Sequence, residues 1–439
     1  MSRFLFTSWP LYGHLLPKLA IVSALRDRGA DVAFYTGSRV RRLIDEQRFE
    51  VFPFERVDER AIAGAVRELE ESAGMGRPSI GDVRRCFDRC LIEPIPGQVA
   101  DVSAISRDWK PDAIVCDLPL WGPMVIVAET TPVPVALASG FLGPPASGPD
   151  VPPPGLGLPS PRGPVRRAVA WGAGRATDLA ARHLRERVNA LRAEHGLGPM
   201  GCSVNDYLGR LPLTLIPSVR ELDYDRRHVP LGVHYVGPCP WQPPDPPGAG
   251  ACENAVRDGR LWVHVAASTV AGSDAGLLRA AVHGLADSPV ELLATVGGEV
   301  PADLRPEALP ANVHLARWVN HARLLPRCAA VVTPGGAGTI VAALTAGVPL
   351  VVVPTIWDKP DNAQRVVEAG VGVRLSPRRC TPERLRAAVE QVLTLPAFRE
   401  RAGQLAALMA AAPGPAGAAA LLERLVAGDA AAQPTEVKV

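Results

Sequence analysis

The chain has eight cysteines in 439 residues, at Cys86, Cys90, Cys116, Cys202, Cys239, Cys252, Cys328 and Cys380, but no Cys-x-x-Cys pair and no cysteine–histidine cluster of metal-site spacing. A zinc module and a dithiol redox motif are thereby excluded, and the thiols are expected to be small buried apolar residues. Charge of one sign is also lacking: 47 basic and 45 acidic side chains leave a net charge of +2, with the arginines scattered among acids. No nucleic-acid footprint is expected from such a balance. The amino-terminal run MSRFLFTSWPLYGHLLP holds one arginine and is interrupted by Pro10 and His14. It is too short and too broken for a signal peptide or a membrane span, so the chain reads as cytoplasmic with no membrane partner.

What is present is apolar residues in quantity, 47% of the chain, enough for two domains of ordinary size. Strand-like and helix-like segments alternate, which predicts parallel sheets covered on both faces. Arg3 to Ser8, Asp31 to Thr36, Ala113 to Val115, Val135 to Ala138 and Leu213 to Pro217 read as strands, with helices predicted at Leu16 to Asp27, from Val40 to Asp45, at Gly122 to Glu129 and at Ala176 to His195. The proline- and glycine-rich stretch from Gly143 to Pro164 is long for a simple connection, and acceptor contacts are expected there. A second proline cluster near Trp241 to Gly248 stiffens a linker, and a new αβ set opens at Leu261 to Val265. These signals divide the chain into residues 1–235, a linker at 236–256, residues 257–427, and a tail at 428–439 whose composition predicts no fixed structure.

The densest signal lies between Val331 and Val366. A strand from Ala329 to Val332 runs into Gly335, Gly336 and Gly338, then a helix from Thr339 to Thr345 and a buried strand from Pro349 to Val353. Glycines let the backbone approach a ligand, and the first N–H groups of a helix carry partial positive charge without intrahelical partners, so such a turn seats phosphate. The spacing is neither Gly-x-Gly-x-x-Gly nor a P-loop with its lysine, and on spacing alone it equally describes a tight strand-to-helix turn.

Several motifs in order resolve that ambiguity. Arg317-Trp318-Val319-Asn320-His321, Leu324-Leu325-Pro326-Arg327, Thr333-Pro334-Gly335-Gly336-Ala337-Gly338-Thr339 and Asp358-Lys359-Pro360-Asp361-Asn362-Ala363 together resemble the donor-binding signature of the GT-B glycosyltransferases of family 1. The resemblance covers nearly the whole chain. It implies a GT-B fold, two Rossmann-like doubly wound α/β domains with parallel sheets facing across a cleft, where ligands bind beyond the carboxyl ends of the strands. It also implies an acceptor-binding domain at 1–235 and a nucleotide-sugar donor domain at 257–427.

Sugar transfer needs a base for the acceptor hydroxyl and a grip on the departing diphosphate. His14, in Tyr12-Gly13-His14-Leu15-Leu16-Pro17, matches the histidine of the family's Gly-His-x-x-Pro segment, its catalytic base. Asp117, after the strand Ala113 to Val115, matches the acid that orients it. The backbone from Thr333 and Pro334 through Gly335, Gly336, Ala337, Gly338 and Thr339 would hold the diphosphate, with Ser268 and Thr269 adding hydroxyls, Trp318 stacking on the base, and Asp358 and Lys359 reading the sugar. Neither a metal nor a cofactor beyond the dTDP- or UDP-linked co-substrate is implied. The expected partners are that donor and a small natural-product aglycone, and the expected assembly is a monomer or homodimer.

Three departures from the family pattern carry meaning. Pro334 stands where a histidine usually donates to phosphate, leaving Arg327 or Lys359 to compensate. Ala342 stands where a glutamate usually accepts from ribose hydroxyls, which favours dTDP over UDP. Lys359 replaces a glutamine and has no acceptor. The favoured reading is an inverting, metal-independent transferase acting on a small aglycone, with a deoxysugar donor fitting these changes. Two others stay open: an impaired homologue that binds a nucleotide sugar or assists a partner, and a sugar-nucleotide epimerase.

Overall fold

The structure, a computed structural model, describes residues 1–75, 79–146, 148, 150–243, 259–266, 275–296, 302–304 and 309–428. Ser268 and Thr269, most of the 236–256 linker and residues 429–439 of the tail lie outside the described residues.

The amino-terminal half builds one sheet from β1 (Arg3–Ser8), β2 (Asp31–Thr36), β3 (Glu50–Pro53), β4 (Ala113–Cys116), β5 (Val135–Ala138), β6 (Thr214–Ile216) and β7 (Val233–Tyr235). The second half builds another from β8 (Leu261–Ala266), β9 (Val290–Thr295), β10 (Val313–Ala316), β11 (Ala330–Thr333), β12 (Leu350–Val352) and β13 (Gly372–Arg374). All pairings are parallel, with strand orders β3-β2-β1-β4-β5-β6-β7 and β10-β9-β8-β11-β12-β13. Central strands are buried on both faces, as Phe4, Leu5 and Phe6 of β1 and Val331 and Val332 of β11 show, which is why they read as continuous apolar runs. Chain direction reverses its lateral progress between β1 and β4 in the first sheet and between β8 and β11 in the second. These are the switch points where a crevice opens beyond the carboxyl ends.

Several boundaries differ from the sequence reading for identifiable reasons. The first helix spans Tyr12–Asp27 rather than starting at Leu16. A proline normally marks a helix's first turn, but Pro17 stands inside this one and denies the carbonyl of Gly13 its usual partner. The helix expected from Ala176 already begins at Gly163, with Pro164 in its first turn, and runs to Glu194. Gly122 to Glu129 forms a π-helical turn, Pro123–Val127, and a short α-helical turn, Ala128–Thr130. The seat helix opens at Ala337, two residues earlier than expected, with Gly336 as its cap.

The last helix, Gly414–Val426, packs on the first lobe. Its Ala418, Ala419, Leu422 and Leu425 enter the first domain's core beside Leu15, Leu19, Val22 and Leu25, and Arg28 Nε donates to Glu423 at 3.0 Å. The chain thus returns to its first lobe, burying an apolar stripe that the second lobe does not cover. Among the described residues no single helix is long and apolar enough to cross a membrane.

Residues 155–160, within the proline- and glycine-rich stretch, strap the two domains together. Asp361, in the first turn of helix Lys359–Glu368, accepts from the amides of Gly155 at 2.6 Å and Gly157 at 2.7 Å, and Arg374 Nη1 donates to the Gly157 carbonyl at 2.6 Å. Glu368 receives both the amide and the hydroxyl of Ser160. Gly157 has φ 58°, and a Cβ there would lie 2.6 Å from the carbonyl oxygen of Pro360, so only glycine fits this approach. Asp361→Asn replaces one acceptor by a donor and leaves an amide unsatisfied, at about 1–3 kcal/mol. We expect a Tm lower by a few degrees, and a Tm equal to that of the wild type would show that these bonds do not hold the strap.

Candidate functional site

His14 lies in the first turn of the helix that follows β1, and Asp117 directly follows β4. Since Phe6 pairs with Val115, the register carries Asp117 alongside the exit of β1. There its amide donates to Thr7 Oγ1 at 2.9 Å, and its Oδ2 accepts from the Trp9 amide at 2.8 Å. His14 Nδ1 sits 3.0 Å from Oδ2 and 3.1 Å from Oδ1 of the same carboxylate. Because a carboxylate only accepts, Nδ1 carries the hydrogen in this contact, and Nε2 is the ring nitrogen turned away from Asp117. The ring is 19% exposed while Asp117 is fully buried, so the imidazole is open to a small molecule and its partner is not. Phe141 meets the imidazole edge-on at 6.2 Å between centroids.

Sequence reasoning missed Lys18, one turn further along the same helix. Its ammonium lies 3.1 Å from Asp117 Oδ2 and donates to the His14 carbonyl at 2.9 Å, with only 2% of the side chain exposed. A signal existed: Leu15, Lys18, Leu19 and Val22 share the i, i+3, i+4, i+7 stripe that the helix buries. Burial opposes ionisation of Asp117, but the charges of His14 and Lys18 and the hydrogen bonds from His14 and the Trp9 amide outweigh it and bring the carboxyl down to about 2. Burial lowers the Lys18 ammonium, against the pull of Asp117.

In the second domain Thr333 ends β11, Pro334 is buried, and Gly335 turns the chain with φ 98°. A Cβ at Gly335 would crowd Val352 Cγ1 at 3.1 Å and the Lys359 carbonyl oxygen at 3.2 Å. Gly336 and Gly338 face open space, with nothing within 4 Å of an added Cβ, so the approach to the first amides of helix Ala337–Thr345 is clear. Thr339 is half-buried on the first turn of that helix. The Thr333 hydroxyl accepts from the Gly335 amide at 3.2 Å. Asn362, quoted above only as part of a motif, donates to the Gly335 carbonyl at 3.0 Å and to Asp358 Oδ2 at 2.7 Å, which fixes the Asp358-Lys359 loop against the glycine turn. Lys359 Nζ donates to Thr355 Oγ1 at 3.0 Å.

Asp358 is pushed up from the usual carboxylate range by burial, against the Asn362 hydrogen bond and the charges of Lys359 and His14. Trp357, just before Asp358, has φ 65° and stacks on Phe87 of the first domain at 5.8 Å and 17°. An αL conformation is uncommon for a bulky residue, and here an interdomain stack holds it. Trp318 is half-buried beyond β10, on the same carboxyl edge as the glycine turn but with β9 and β8 between the two strands. The structure therefore joins His14 with Asp117, and Thr333 to Thr339 with Asp358 and Lys359. It leaves Trp318 at the far end of that edge.

The first domain thus offers an imidazole oriented by a buried carboxylate, and the second a helix amino terminus that lacks side-chain cap and acid. Residues 281–425 match the family described as erythromycin biosynthesis protein CIII-like, C-terminal domain. The chain is 33% identical over 431 residues to 4'-demethylrebeccamycin synthase of Lentzea aerocolonigenes, spanning 97% of this chain and 100% of that one. Its fold is similar to that of the glycotransferase of kitacinnamycin, with TM-score 0.70 and 24% identity over 96% of this chain and 98% of the other. It is also similar to that of the glycosyltransferase VinC in complex with dTDP, with TM-score 0.68 and 21% identity over 97% and 100%.

Proposed function

Because the chain belongs to the GT-B glycosyltransferases of family 1 that serve natural-product biosynthesis, we propose that it is an inverting cytoplasmic enzyme moving a sugar from a nucleoside diphosphate, dTDP favoured over UDP, to a hydroxyl of a small aglycone. No metal or cofactor enters beyond the co-substrate. The observation that carries this reading is the His14–Asp117 pair at the first sheet's switch point, together with the open, uncapped helix start after Gly335 in the second.

In the reaction Nε2 of His14 takes the acceptor's O–H proton while that oxygen forms a bond to the anomeric carbon from the face opposite the phosphate. The C1–O bond to phosphate breaks, and the diphosphate leaves with the bonding pair onto the amides at Gly336 to Thr339. Asp117 holds the imidazolium's orientation and charge. Pro334 brings no donor to the phosphate, and Lys359, whose backbone lies against Gly335, supplies the nearby cation. Ala342, in the middle of the seat helix, has no carboxylate for a ribose 2'-hydroxyl, which favours a deoxyribose carrier. VinC, whose structure holds dTDP, supports the same choice.

A melting-shift screen with dTDP, UDP and GDP tests it, followed by donor assays with the preferred nucleotide. Saturation at one hundred times Kd stabilises the native state by about 2.7 kcal/mol. We expect the largest rise in Tm with dTDP; a UDP response equal to it or larger would sink the dTDP preference.

A further inference from the structure

A buried carboxylate whose only charged neighbour is an imidazole has two ways to avoid isolation: take up a proton, or keep the imidazole protonated. The second would fill the lone pair that a base needs. In this chain a third charge is built in. Lys18 Nζ lies 3.1 Å from Asp117 Oδ2, inside the core and tethered to the His14 carbonyl at 2.9 Å, so it cannot swing out to solvent without breaking both contacts. Among the described residues, Cys116 and Thr7 flank Asp117 within the sheet, Phe141 faces the imidazole from the segment after β5, and Asp358 lies within electrostatic reach of it from the other domain. Asp358 is an acid, so its charge adds to the pull on a proton at His14, and Lys18 is the cation in contact with the pair.

Building on the reading of His14 as the base, we propose that Lys18 is a positioning residue of the transfer reaction: its ammonium neutralises Asp117, so the carboxylate can orient His14 without holding a second proton on its ring. The shared oxygen explains the geometry. Oδ2 meets the Trp9 amide, the imidazole and the ammonium together, so one carboxylate oxygen is shared between the ring it orients and the cation that offsets its charge. A proton arriving from the acceptor then adds the one positive charge that the diphosphate's departure balances.

The test is a titration of the His14 ring in the full chain labelled with 15N-histidine, with the His14→Gln spectrum assigning the resonance. In Lys18→Met the midpoint of His14 should move to higher pH by about one unit or more, the size expected when an unscreened carboxylate faces a cation. Lys18→Arg, which keeps the charge, should leave it within a few tenths of wild type. Should Lys18→Met fail to fold, Lys18→Gln retains a hydrogen-bond donor without the charge, and the same upward movement is expected. An unmoved midpoint in the uncharged variant, or an Arg variant displaced as far as the Met variant, would overturn the proposal. This readout needs no substrate, so it fails separately from the reading of His14 as base, which turnover of a His14 variant decides.

Discussion

His14→Ala is expected to lower kcat by about 10²–10⁴-fold, the range for a positioned general base, while leaving the dTDP-dependent rise in Tm intact. The two readouts separate because the two halves of the site are built by different domains. His14 belongs to the helix after β1, whereas the phosphate seat is backbone of Gly335 to Thr339, held by Asn362 and the Lys359 loop. Removing the imidazole takes away the acceptor of the nucleophile's proton without touching a seat amide. It also leaves Asp117 paired with Lys18, so the core keeps its ion pair and the variant should fold. Because Asp117 is held near 2, it stays ionised throughout the working range and cannot itself produce an acid limb in the rate profile. Turnover close to wild type in His14→Ala would remove this residue from the mechanism. Loss of the dTDP response together with turnover would mean that the imidazole helps bind the donor.

How much of this was legible beforehand depends on how local each signal is. The glycine turn could be read because three glycines between an apolar strand and a helix restrict the backbone whatever surrounds them, and the alternation of strands with helices announced both parallel sheets. His14 and Asp117 were found through motifs, each directly after a strand. Lys18 was not, although its place on the buried stripe was visible, because a lysine in a helix usually extends its ammonium to water and only the distant Asp117 makes burial tolerable. Asp361 reads locally as an acid complementing a helix amino terminus; its bonds to Gly155 and Gly157 depend on the approach of a loop some two hundred residues away. The last helix carries an apolar stripe that fits either core, and nothing within Gly414 to Val426 says which. What escaped was set by contacts between segments far apart in the chain.

Asp117→Ala is expected to be the most destabilising substitution at the site. Its carboxylate is fully buried against the His14 ring and the Lys18 ammonium, and removing it strands that ammonium inside the core. Breaking a buried pair on one side costs about 3–5 kcal/mol, since the remaining charge has lost its counter-ion and keeps its desolvation penalty. The Lys18→Met/Asp117→Ala double variant should recover much of that loss, because it buries no charge, yet recover no activity, because the imidazole has lost the group that fixes its tautomer. Urea unfolding of the wild type, both single variants and the double variant measures the coupling. The pH dependence gives an independent check. Asp117 falls from an ordinary 3.8 to about 2 on folding, so its contribution is present above the unfolded value and is lost as pH drops through the folded one. The stability gap between wild type and Asp117→Ala should therefore be constant near neutrality and close as pH falls from about 4 towards 2. A gap that persists undiminished to pH 2, or a double variant no more stable than Asp117→Ala, would show that packing rather than charge holds this part of the core.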